Sequence, residues 1–256
     1  HFEPWMPFYF SEGSIGGDIE RVSTAKIKAL YEGGPQLASV EGHLMKDRYS
    51  PFYLYEEPAG SNGIALNGDM TESGNAMLLI NPHTSFFFRG EMHVVSEEGL
   101  NAYGAVTWGQ FFIYQGFNEK TGWMHTSTYT DVIDEFVETV RNTQTGKEYK
   151  YGEKWLAIDS IQENFSVKTE DGLQQNSLTL YRTHHGPITH KVGEQLTATA
   201  LMWSPTKALE QSFIRTKQSN YEGFKKMMQL KTNSTNNTVY ADADKNIAYW
   251  HGNFIP

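Results

Sequence analysis

The sequence predicts an α+β protein in which β-sheet dominates. Aromatic residues make up 14% of the 256 residues, and such side chains favour strands that enclose a bulky apolar interior. Short apolar or alternating runs also follow one another along most of the chain. Each run is bounded by Gly, Asn, Pro or Ser, which is the pattern of successive strands. The length suits one large domain or two small ones.

Few regular elements are predicted before residue 61. Residues 1–20 are rich in aromatic residues, Pro and Gly, which predicts an irregular segment. Apolar residues recur at helical spacing over residues 18–31, which predicts a helix there. Residues 32–60 have the composition of a loop.

Strands are predicted from residue 61 onward. The predicted strands are Gly63–Leu66, Ala76–Ile80, Phe86–Val95, Tyr103–Trp108, Phe111–Tyr114, Trp123–Thr128, 155–167, 176–183 and 197–203. A helix with an apolar face is predicted within residues 207–231. The chain closes on a predicted hairpin, in which Val239–Ala241 and Ile247–Trp250 flank a polar turn.

Composition and charge exclude several classes of function. The formal net charge is −9 and no basic cluster interrupts the acidic balance, which makes nucleic acid and anionic membranes poor partners. The absence of cysteine excludes thiol catalysis, disulfides and cysteine-ligated zinc. No apolar run approaches the length of a membrane span. The chain runs from His1 to Pro256 without a signal-peptide pattern, which favours a processed piece of a longer precursor.

Ser61 is the first candidate for chemistry, within Gly60-Ser61-Asn62-Gly63 between a loop and a predicted strand. A serine hydroxyl is a weak nucleophile that needs an adjacent base. A free α-amine has a pKa of about 7.7–8.0, so an N-terminal serine can use its own amine as that base. Inside an uncut chain the nitrogen is an amide and cannot act in this way. Taken alone, these four residues are more often a plain turn.

Further motifs follow Ser61 in an order that resembles the penicillin acylase family of N-terminal-nucleophile hydrolases. The motifs are Asn81-Pro82-His83, Glu91-Met92-His93-Val94, Gly116-Phe117-Asn118, Gly122-Trp123-Met124-His125-Thr126-Ser127, Arg182-Thr183-His184-His185-Gly186-Pro187 and Asn237-Thr238-Val239-Tyr240-Ala241-Asp242. Each motif is only moderately specific, but the shared order runs from about Gly60 to the end of the chain. We expect Glu91–Val94 to be a packing element and Gly116–Asn118 to be a turn.

The resemblance implies a role for each of four residues. Ser61, released by self-cleavage, would be the nucleophile, and its α-amine would be the general base. His83 would form hydrogen bonds around the nucleophile and help to hold the amine. The main-chain N–H of Ser127 and the side-chain amide of Asn237 would form an oxyanion hole for the tetrahedral intermediate. Asn236 competes with Asn237 for this role, and the spacing to the Tyr-Ala-Asp motif favours Asn237.

The resemblance also implies a fold and a division of the chain. The expected fold is the four-layer αββα sandwich of the N-terminal-nucleophile hydrolases, of which this chain would be a fragment. Residues 1–60 would be a linker-like or propeptide-like segment upstream of the cleavage site. Residues 61–256 would be the N-terminal part of the catalytic domain, and the other parts of the precursor would be its partners.

The implied reaction is the hydrolysis of a small-molecule acyl amide. His83 favours long-chain acyl amides, such as acyl-homoserine lactones, over phenylacetyl-penicillin. The biological roles that the resemblance implies are quorum quenching and antibiotic resistance. The expected location is periplasmic or extracellular. Aromatic candidates for the acyl pocket are Phe86, Phe87, Trp108 and Phe111, although each is also typical of an ordinary core residue.

Calcium is the one cofactor that the resemblance implies, and no organic cofactor is expected. Asp131 and Asp134 would supply carboxylate oxygens and Ile133 a main-chain carbonyl, which are suitable ligands for this hard cation. Further ligands would come from elsewhere. An acidic surface turn is the alternative interpretation of the same residues.

Two rival interpretations remain. Ser23-Thr24-Ala25-Lys26, Ser73-Gly74-Asn75 and Lys120-Thr121-Gly122 imitate the motifs of serine β-lactamases and penicillin-binding proteins, with Ser23 and Lys26 as the reactive pair. The middle motif lacks its Asp, and the third lies too far from the end of the chain. The other rival is a non-catalytic or immature acylase-like module in which the Gly60–Ser61 bond stays intact.

Overall fold

We describe a computed structural model of the chain for residues 21–31, 60–83, 89–107, 109–128, 130–233 and 235–251. The chain divides into two compact units. Of the described residues, those within 60–132 and 202–251 form the first unit, and residues 21–31 and 133–201 form the second. The predicted division at Gly60/Ser61 concerns a cut bond and stays a prediction.

The described residues form three α-helices, which are α1 (Thr24–Tyr31), α2 (Pro205–Arg215) and α3 (Tyr221–Met228), and a short 3₁₀ helix (Gly68–Met70). The first eight strands are β1 (Gly60–Leu66), β2 (Met77–His83), β3 (Arg89–Ser96), β4 (Leu100–Thr107), β5 (Gln115–Asn118), β6 (Thr121–Ser127), β7 (Asp134–Glu138) and β8 (Val140–Thr143). The other eight are β9 (Gly146–Tyr151), β10 (Lys154–Ala157), β11 (Asp159–Thr169), β12 (Gly172–Arg182), β13 (Ile188–Val192), β14 (Gln195–Ala200), β15 (Asn236–Asp242) and β16 (Ile247–Trp250).

The first unit is built on a six-stranded antiparallel sheet in the order β16-β15-β6-β5-β4-β3. Its central strand β6 is buried from Thr121 to His125. An unbroken buried run in a strand indicates that both faces of the sheet are covered. Trp123 and Tyr240 on one face pack with Phe224 of α3 in the main apolar cluster, so the helices cover that face.

The β1–β2 hairpin covers the other face of the same sheet. Gly63 of β1 lies over β6 and β15, because a Cβ atom added to it would come within 2.8 Å of Met124 Cγ and 3.1 Å of Val239 Cγ2. A Cβ atom added to Gly122 would likewise lie 2.9 Å from Leu78 Cδ2 of β2. The two glycines therefore allow the close approach of hairpin and sheet.

The second unit contains α1 and three small antiparallel sheets. Their strand orders are β13-β14-β7, β10-β9-β8 and β11-β12. Its core consists of the buried side chains of Tyr149, Ile158, Ile188, Leu196 and Ala198. The Tyr31 hydroxyl at the end of α1 donates a hydrogen bond to the Ile188 carbonyl over 2.9 Å, which attaches the helix to β13.

Most predicted elements are present, and two predictions are wrong. Residues 111–114 form a bend instead of a strand. Phe112, Ile113 and Tyr114 are buried in this bend, which accounts for the apolar run that predicted a strand. Gly116–Asn118 lies in strand β5 instead of a turn. A Cβ atom on Gly116 would lie 2.2 Å from the Tyr103 carbonyl oxygen, so this glycine serves close contact with β4.

Strands β7, β8, β9 and β13 have no counterpart among the predicted elements. The other differences concern element bounds. The helix predicted within residues 207–231 is two helices, α2 and α3, and the strand predicted at 155–167 is split into β10 and β11. A helix is predicted over residues 18–31. The structure describes this segment from residue 21 onward, and α1 begins at Thr24. No helix in the described ranges is both long enough and apolar enough to cross a membrane.

Candidate active site

Ser61 lies at the start of β1, directly after a glycine in a left-handed conformation. Gly60 has φ of 133°, a value that side-chain-bearing residues rarely adopt. The Ser61 hydroxyl donates a hydrogen bond of 2.6 Å to the Gly60 carbonyl oxygen. The main-chain N–H of His83 donates a longer hydrogen bond of 3.3 Å to Ser61 Oγ. The hydroxyl is therefore in contact with the carbonyl group of the bond that joins residues 60 and 61.

The His83 imidazole contacts two asparagines. Its Nε2 atom lies 2.9 Å from Asn81 Oδ1 and 3.3 Å from Asn62 Nδ2. Antiparallel pairing of β1 with β2 places Gly60 opposite His83 and Asn62 opposite Asn81, which brings these side chains together. Among the described contacts, His83 thus reaches the nucleophile through its main chain and not through its ring.

The direction of the β1–β2 hairpin on the sheet places Ser61 toward the end of β6 that carries Ser127. Ala65 of β1 is paired with Leu78, and Leu78 lies over the start of β6. The end of β1 that carries Ser61 must then lie toward the other end of β6, where Ser127 and Asn237 are found. The tertiary structure brings these three predicted residues to one end of the packed layers.

Asn237 and Asn236 point to opposite faces of β15, because side chains alternate along a strand. Asn237 shares the face of Val239, which is the face covered by the hairpin. Asn236 lies on the other face, where its Nδ2 atom donates a 3.0 Å hydrogen bond to the Tyr114 hydroxyl. Of the two asparagines, only Asn237 faces the layer that carries Ser61.

The main-chain N–H of Ser127 points away from β15. Thr128 N–H donates a 2.9 Å hydrogen bond to the Thr235 carbonyl, and Ser127 is opposite Asn236 in the next pair. Hydrogen-bonded and non-hydrogen-bonded pairs alternate in an antiparallel ladder, so the Ser127–Asn236 pair exchanges no main-chain hydrogen bonds. The Ser127 N–H is therefore not used by this ladder.

The Asn237 side chain has a short contact through its oxygen and long contacts through its nitrogen. His251 Nδ1 lies 2.6 Å from Asn237 Oδ1. Asn237 Nδ2 donates to Thr126 Oγ1 over 3.3 Å and to the Ser127 carbonyl over 3.4 Å. The sequence analysis did not identify His251. The only sequence feature that could have indicated it is a histidine shortly after the Ile-x-Tyr strand.

A buried polar cluster lies behind these strands on the helix side of the sheet. Arg215 of α2, 1% exposed, places Nη1 2.8 Å from His125 Nε2. His125 Nδ1 lies 3.0 Å from the Thr238 hydroxyl. A guanidinium group can only donate, so Nε2 accepts and Nδ1 donates to Thr238. The cluster ties α2 to the two strands that carry the predicted oxyanion donors, and sequence reasoning assigned His125 no role.

The turn after β15 is held by the buried carboxylate of Asp242. Asp242 accepts hydrogen bonds from the main-chain N–H groups of Asp244 and Asn246 over 3.0 and 2.8 Å, and from the Tyr240 hydroxyl over 2.9 Å. Burial, with the Asp242 hydrogen bond as a second cause, raises the pKa of Tyr240 well above its usual range. Tyr240 is therefore a neutral hydrogen-bond donor that keeps the strand after Asn237 in place.

The predicted calcium ligands Asp131, Ile133 and Asp134 lie close together in the sequence. Asp131 belongs to the first unit, and Ile133 and Asp134 belong to the second, with Asp134 as the first residue of β7. Across the described ranges, no three or more His, Cys, Asp or Glu side chains gather in a way that could hold a metal ion. The residues present offer two carboxylates and a carbonyl, so a calcium ion here would need further oxygen ligands from elsewhere, such as other parts of a longer precursor.

The remaining sequence candidates are placed as follows. Phe111 is 44% exposed and packs against Phe112 and Phe213, while the other three aromatic candidates for the acyl pocket lie outside the described residues. Of the β-lactamase-like motifs, Ser23 accepts a 3.3 Å hydrogen bond from the Lys26 N–H at the start of α1, as helix-capping serines do.

Comparison with known proteins agrees with the resemblance read from the motifs. Residues 2–256 match the family model for penicillin amidase. The acyl-homoserine lactone acylase PvdQ of Pseudomonas syringae pv. tomato is 29% identical over 195 residues, which cover 72% of this chain and 24% of that protein. The acyl-homoserine lactone acylase QuiP of Pseudomonas fluorescens is 25% identical over 129 residues, which cover 50% of this chain and 15% of that protein.

The fold also resembles a solved acylase structure. A thermostable penicillin G acylase from Alcaligenes faecalis superposes with a TM-score of 0.59 and 19% identity, over 72% of this chain and 34% of that chain. The chain thus spans about a quarter of the length of PvdQ and a third of this acylase chain. The predicted α+β fold of the acylase type is confirmed, and the β-lactamase-like alternative is wrong. The chain belongs to the penicillin amidase family.

Proposed function

We propose that the protein is an N-terminal-nucleophile amidohydrolase in which Ser61 attacks an acyl amide after the Gly60–Ser61 bond has been cut. The observation that supports this most directly is the 2.6 Å contact between the Ser61 hydroxyl and the Gly60 carbonyl oxygen. Family membership supports the reaction class, and the location of Asn237 at the Ser61 end of the layers supports the site.

Self-cleavage would begin when Ser61 Oγ attacks the Gly60 carbonyl carbon. The carbon–nitrogen bond then breaks, the nitrogen takes up a proton and becomes the Ser61 α-amine, and Gly60 is held as an ester on Oγ. Water hydrolyses the ester, which yields a Gly60 carboxylate and restores the hydroxyl. Gly60 has a left-handed conformation beside this bond, at a position where most residues would be strained.

In the proposed catalytic cycle, the same hydroxyl is used on a substrate. The Ser61 α-amine, through a water molecule, takes the hydroxyl proton as Oγ attacks the acyl carbonyl carbon. The Ser127 N–H and the Asn237 amide stabilise the oxyanion, and the amine product leaves with a proton. Water then releases the carboxylic acid. Each oxyanion donor is expected to contribute about 2.7–4 kcal/mol of transition-state stabilisation.

The substrate we propose is a long-chain acyl amide of the acyl-homoserine lactone type. The curated relatives PvdQ and QuiP carry that activity in their names, and the His83 ring is present beside the nucleophile strand. Quorum quenching would be the biological role, in the periplasm or outside the cell. The other parts of a longer precursor, a four-layer sandwich and a structural calcium ion at Asp131, Ile133 and Asp134 belong to the same proposal.

Two measurements on the same sample test the proposal. One is a screen of amide hydrolysis with substrates whose acyl groups differ in length, and the other is intact-mass analysis. We expect turnover only in material that contains a chain beginning with Ser61. Active protein that consists of one uncut species would overturn the N-terminal mechanism. Uncut and inactive protein would instead favour the non-catalytic, acylase-like alternative.

A further inference from the structure

We propose that His251 is a positioning residue that orients the Asn237 amide so that its N–H groups face the oxyanion site. This inference rests on the proposed function, in which Asn237 is an oxyanion donor. Its starting point is the 2.6 Å contact between His251 Nδ1 and Asn237 Oδ1, which is the shortest hydrogen bond that either side chain forms among the described contacts.

The chemistry of the two atoms determines which one donates. An amide oxygen can only accept a hydrogen bond, so His251 Nδ1 must carry the proton. In the neutral ring Nε2 is then an acceptor, and it lies 3.2 Å from the Thr130 hydroxyl, which can donate to it. The Asn237 oxygen thus determines the His251 tautomer, and the Thr130 hydroxyl is compatible with it because a hydroxyl can donate to Nε2.

A second threonine extends this series of hydrogen bonds. The Thr128 hydroxyl lies 3.0 Å from Thr130 Oγ1 and accepts a 3.3 Å hydrogen bond from the Thr130 main-chain N–H. If Thr130 donates to His251, Thr128 donates to Thr130. The order of donation is therefore Thr128 to Thr130 to His251 to Asn237, with its origin in the segment that directly follows Ser127.

The lengths of the contacts around Asn237 indicate that these hydrogen bonds hold its amide oxygen more firmly than its amide nitrogen. The amide oxygen is held at 2.6 Å, whereas the amide nitrogen has only contacts of 3.3 and 3.4 Å to Thr126 and Ser127. Weak contacts of this length are readily exchanged for a charged acceptor. The side chain is thus anchored through its oxygen, which leaves its donors available for an oxyanion.

Loss of this anchor would allow the amide to rotate. A rotated amide would present its oxygen to the developing negative charge, which repels it. His251 itself is exposed and Asn237 is 8% exposed, so a change at His251 removes an orienting contact without opening the core. Removal of an oxyanion donor usually lowers kcat by about 10²–10³-fold. Loss of the orienting contact is expected to lower kcat by part of that, about 10-fold.

A matched pair of variants separates orientation from mere packing. In His251→Asn the side-chain amide nitrogen replaces Nδ1, whereas in His251→Gln it replaces Nε2. We expect His251→Asn to keep kcat within about 3-fold and His251→Gln to lower it about 10-fold, with KM unchanged in both because the ground state is not affected. In an Asn237→Ala background, neither change should lower kcat further.

The same variants have a readout that does not depend on turnover. In ¹⁵N NMR spectra, we expect the Asn237 side-chain NH₂ signals to shift in His251→Gln and to stay near their wild-type positions in His251→Asn. Equal kcat and unchanged amide signals in His251→Gln would overturn the proposal. If Asn237→Ala lowers kcat and His251→Gln does not, only the positioning role fails. If Asn237→Ala has no effect on kcat, the oxyanion role of the proposed function fails as well.

Discussion

The Ser61 hydroxyl and the Gly60 carbonyl oxygen are joined by a hydrogen bond of 2.6 Å across the bond proposed for self-cleavage. The group that would attack and the group that would be attacked are thus neighbours before any cleavage. Gly60 itself has φ of 133°, a value that favours glycine.

Substitution of Ser61 should affect cleavage and hydrolysis together. We expect Ser61→Ala to abolish both, because one hydroxyl serves both reactions. Ser61→Cys should still be cut, since a thiol can undergo the same acyl shift, but its amide turnover should fall. Intact mass and an amidase assay measure the two effects. Ser73→Ala, at an exposed turn serine in the same unit, is the matched control.

Extension of cleaved protein by one residue before Ser61 tests the base. The added residue converts the α-amine into an amide and leaves the hydroxyl in place, so turnover should be lost. Activity of the unextended enzyme should rise with pH as the amine loses its proton. Full activity in the extended variant would show that a different group is the base, and the His83 ring would be the first to examine.

Asn237→Ala should lower kcat by about 10²–10³-fold with the fold intact, as is usual when one oxyanion donor is removed. Asn236→Ala should leave kcat near that of the wild type, because this side chain contacts Tyr114 on the opposite face of β15. Steady-state kinetics and circular dichroism of both variants provide the measurement. The reverse pattern would show that Asn236 is the donor.

Gly63→Ala should loosen the hairpin that carries Ser61. The new methyl group would meet the buried Met124 Cγ at 2.8 Å, and overpacking of this kind costs about 1–3 kcal/mol. We expect a lower free energy of unfolding in urea and reduced kcat. Gly90→Ala is the control, since an added Cβ there meets nothing within 4 Å. Equal stability of the two variants would contradict the close packing of β1 on β6.

His190 should make the second unit less stable in mild acid. Burial lowers the pKa of His190 below its usual 6.5, Lys26 lowers it further, and Glu135 opposes the shift. The unfolded chain therefore takes up a proton at a pH where the folded chain does not, so stability falls as pH decreases below about 6.5. His190→Gln should flatten this dependence in urea unfolding between pH 7 and pH 5.

The control for this experiment is His93→Gln, which changes an exposed histidine of the first unit. This variant should keep the pH dependence of the wild type. If His190→Gln also keeps it, the burial of His190 does not contribute to the acid sensitivity of the protein.

Calcium binding near Asp131 and Asp134 should be detectable in the protein purified without chelators. We expect metal analysis to find calcium, and Asp131→Asn with Asp134→Asn to remove it, because both changes withdraw charged ligands. A protein that carries no calcium after dialysis against a calcium-containing buffer would rule out this part of the proposal.

The sequence by itself determined the family, most strands of the first unit and the Ser61 segment, but not strands β7, β8, β9 and β13. These features are local, because a motif is a run of residues at fixed spacing and a strand is a run of alternating side chains. The segments around Ser127 and Asn237 could be read in the same way. The bend at residues 111–114 could not, since a buried bend and a buried strand have the same apolar composition.

Only the tertiary structure decided which side chains of those segments face one another. Spacing favoured Asn237 over Asn236, but the face of β15 that receives the hairpin is set by Gly63, far away in the chain. The packing of β1 on β15 joins distant segments, and no local pattern of residues encodes it. The contact of His251 with Asn237 is more local: Thr238 pairs with Trp250 in the β15–β16 hairpin, which puts His251 opposite Asn237. The hairpin could be predicted, but only the structure gives the register and side-chain orientation that create this contact.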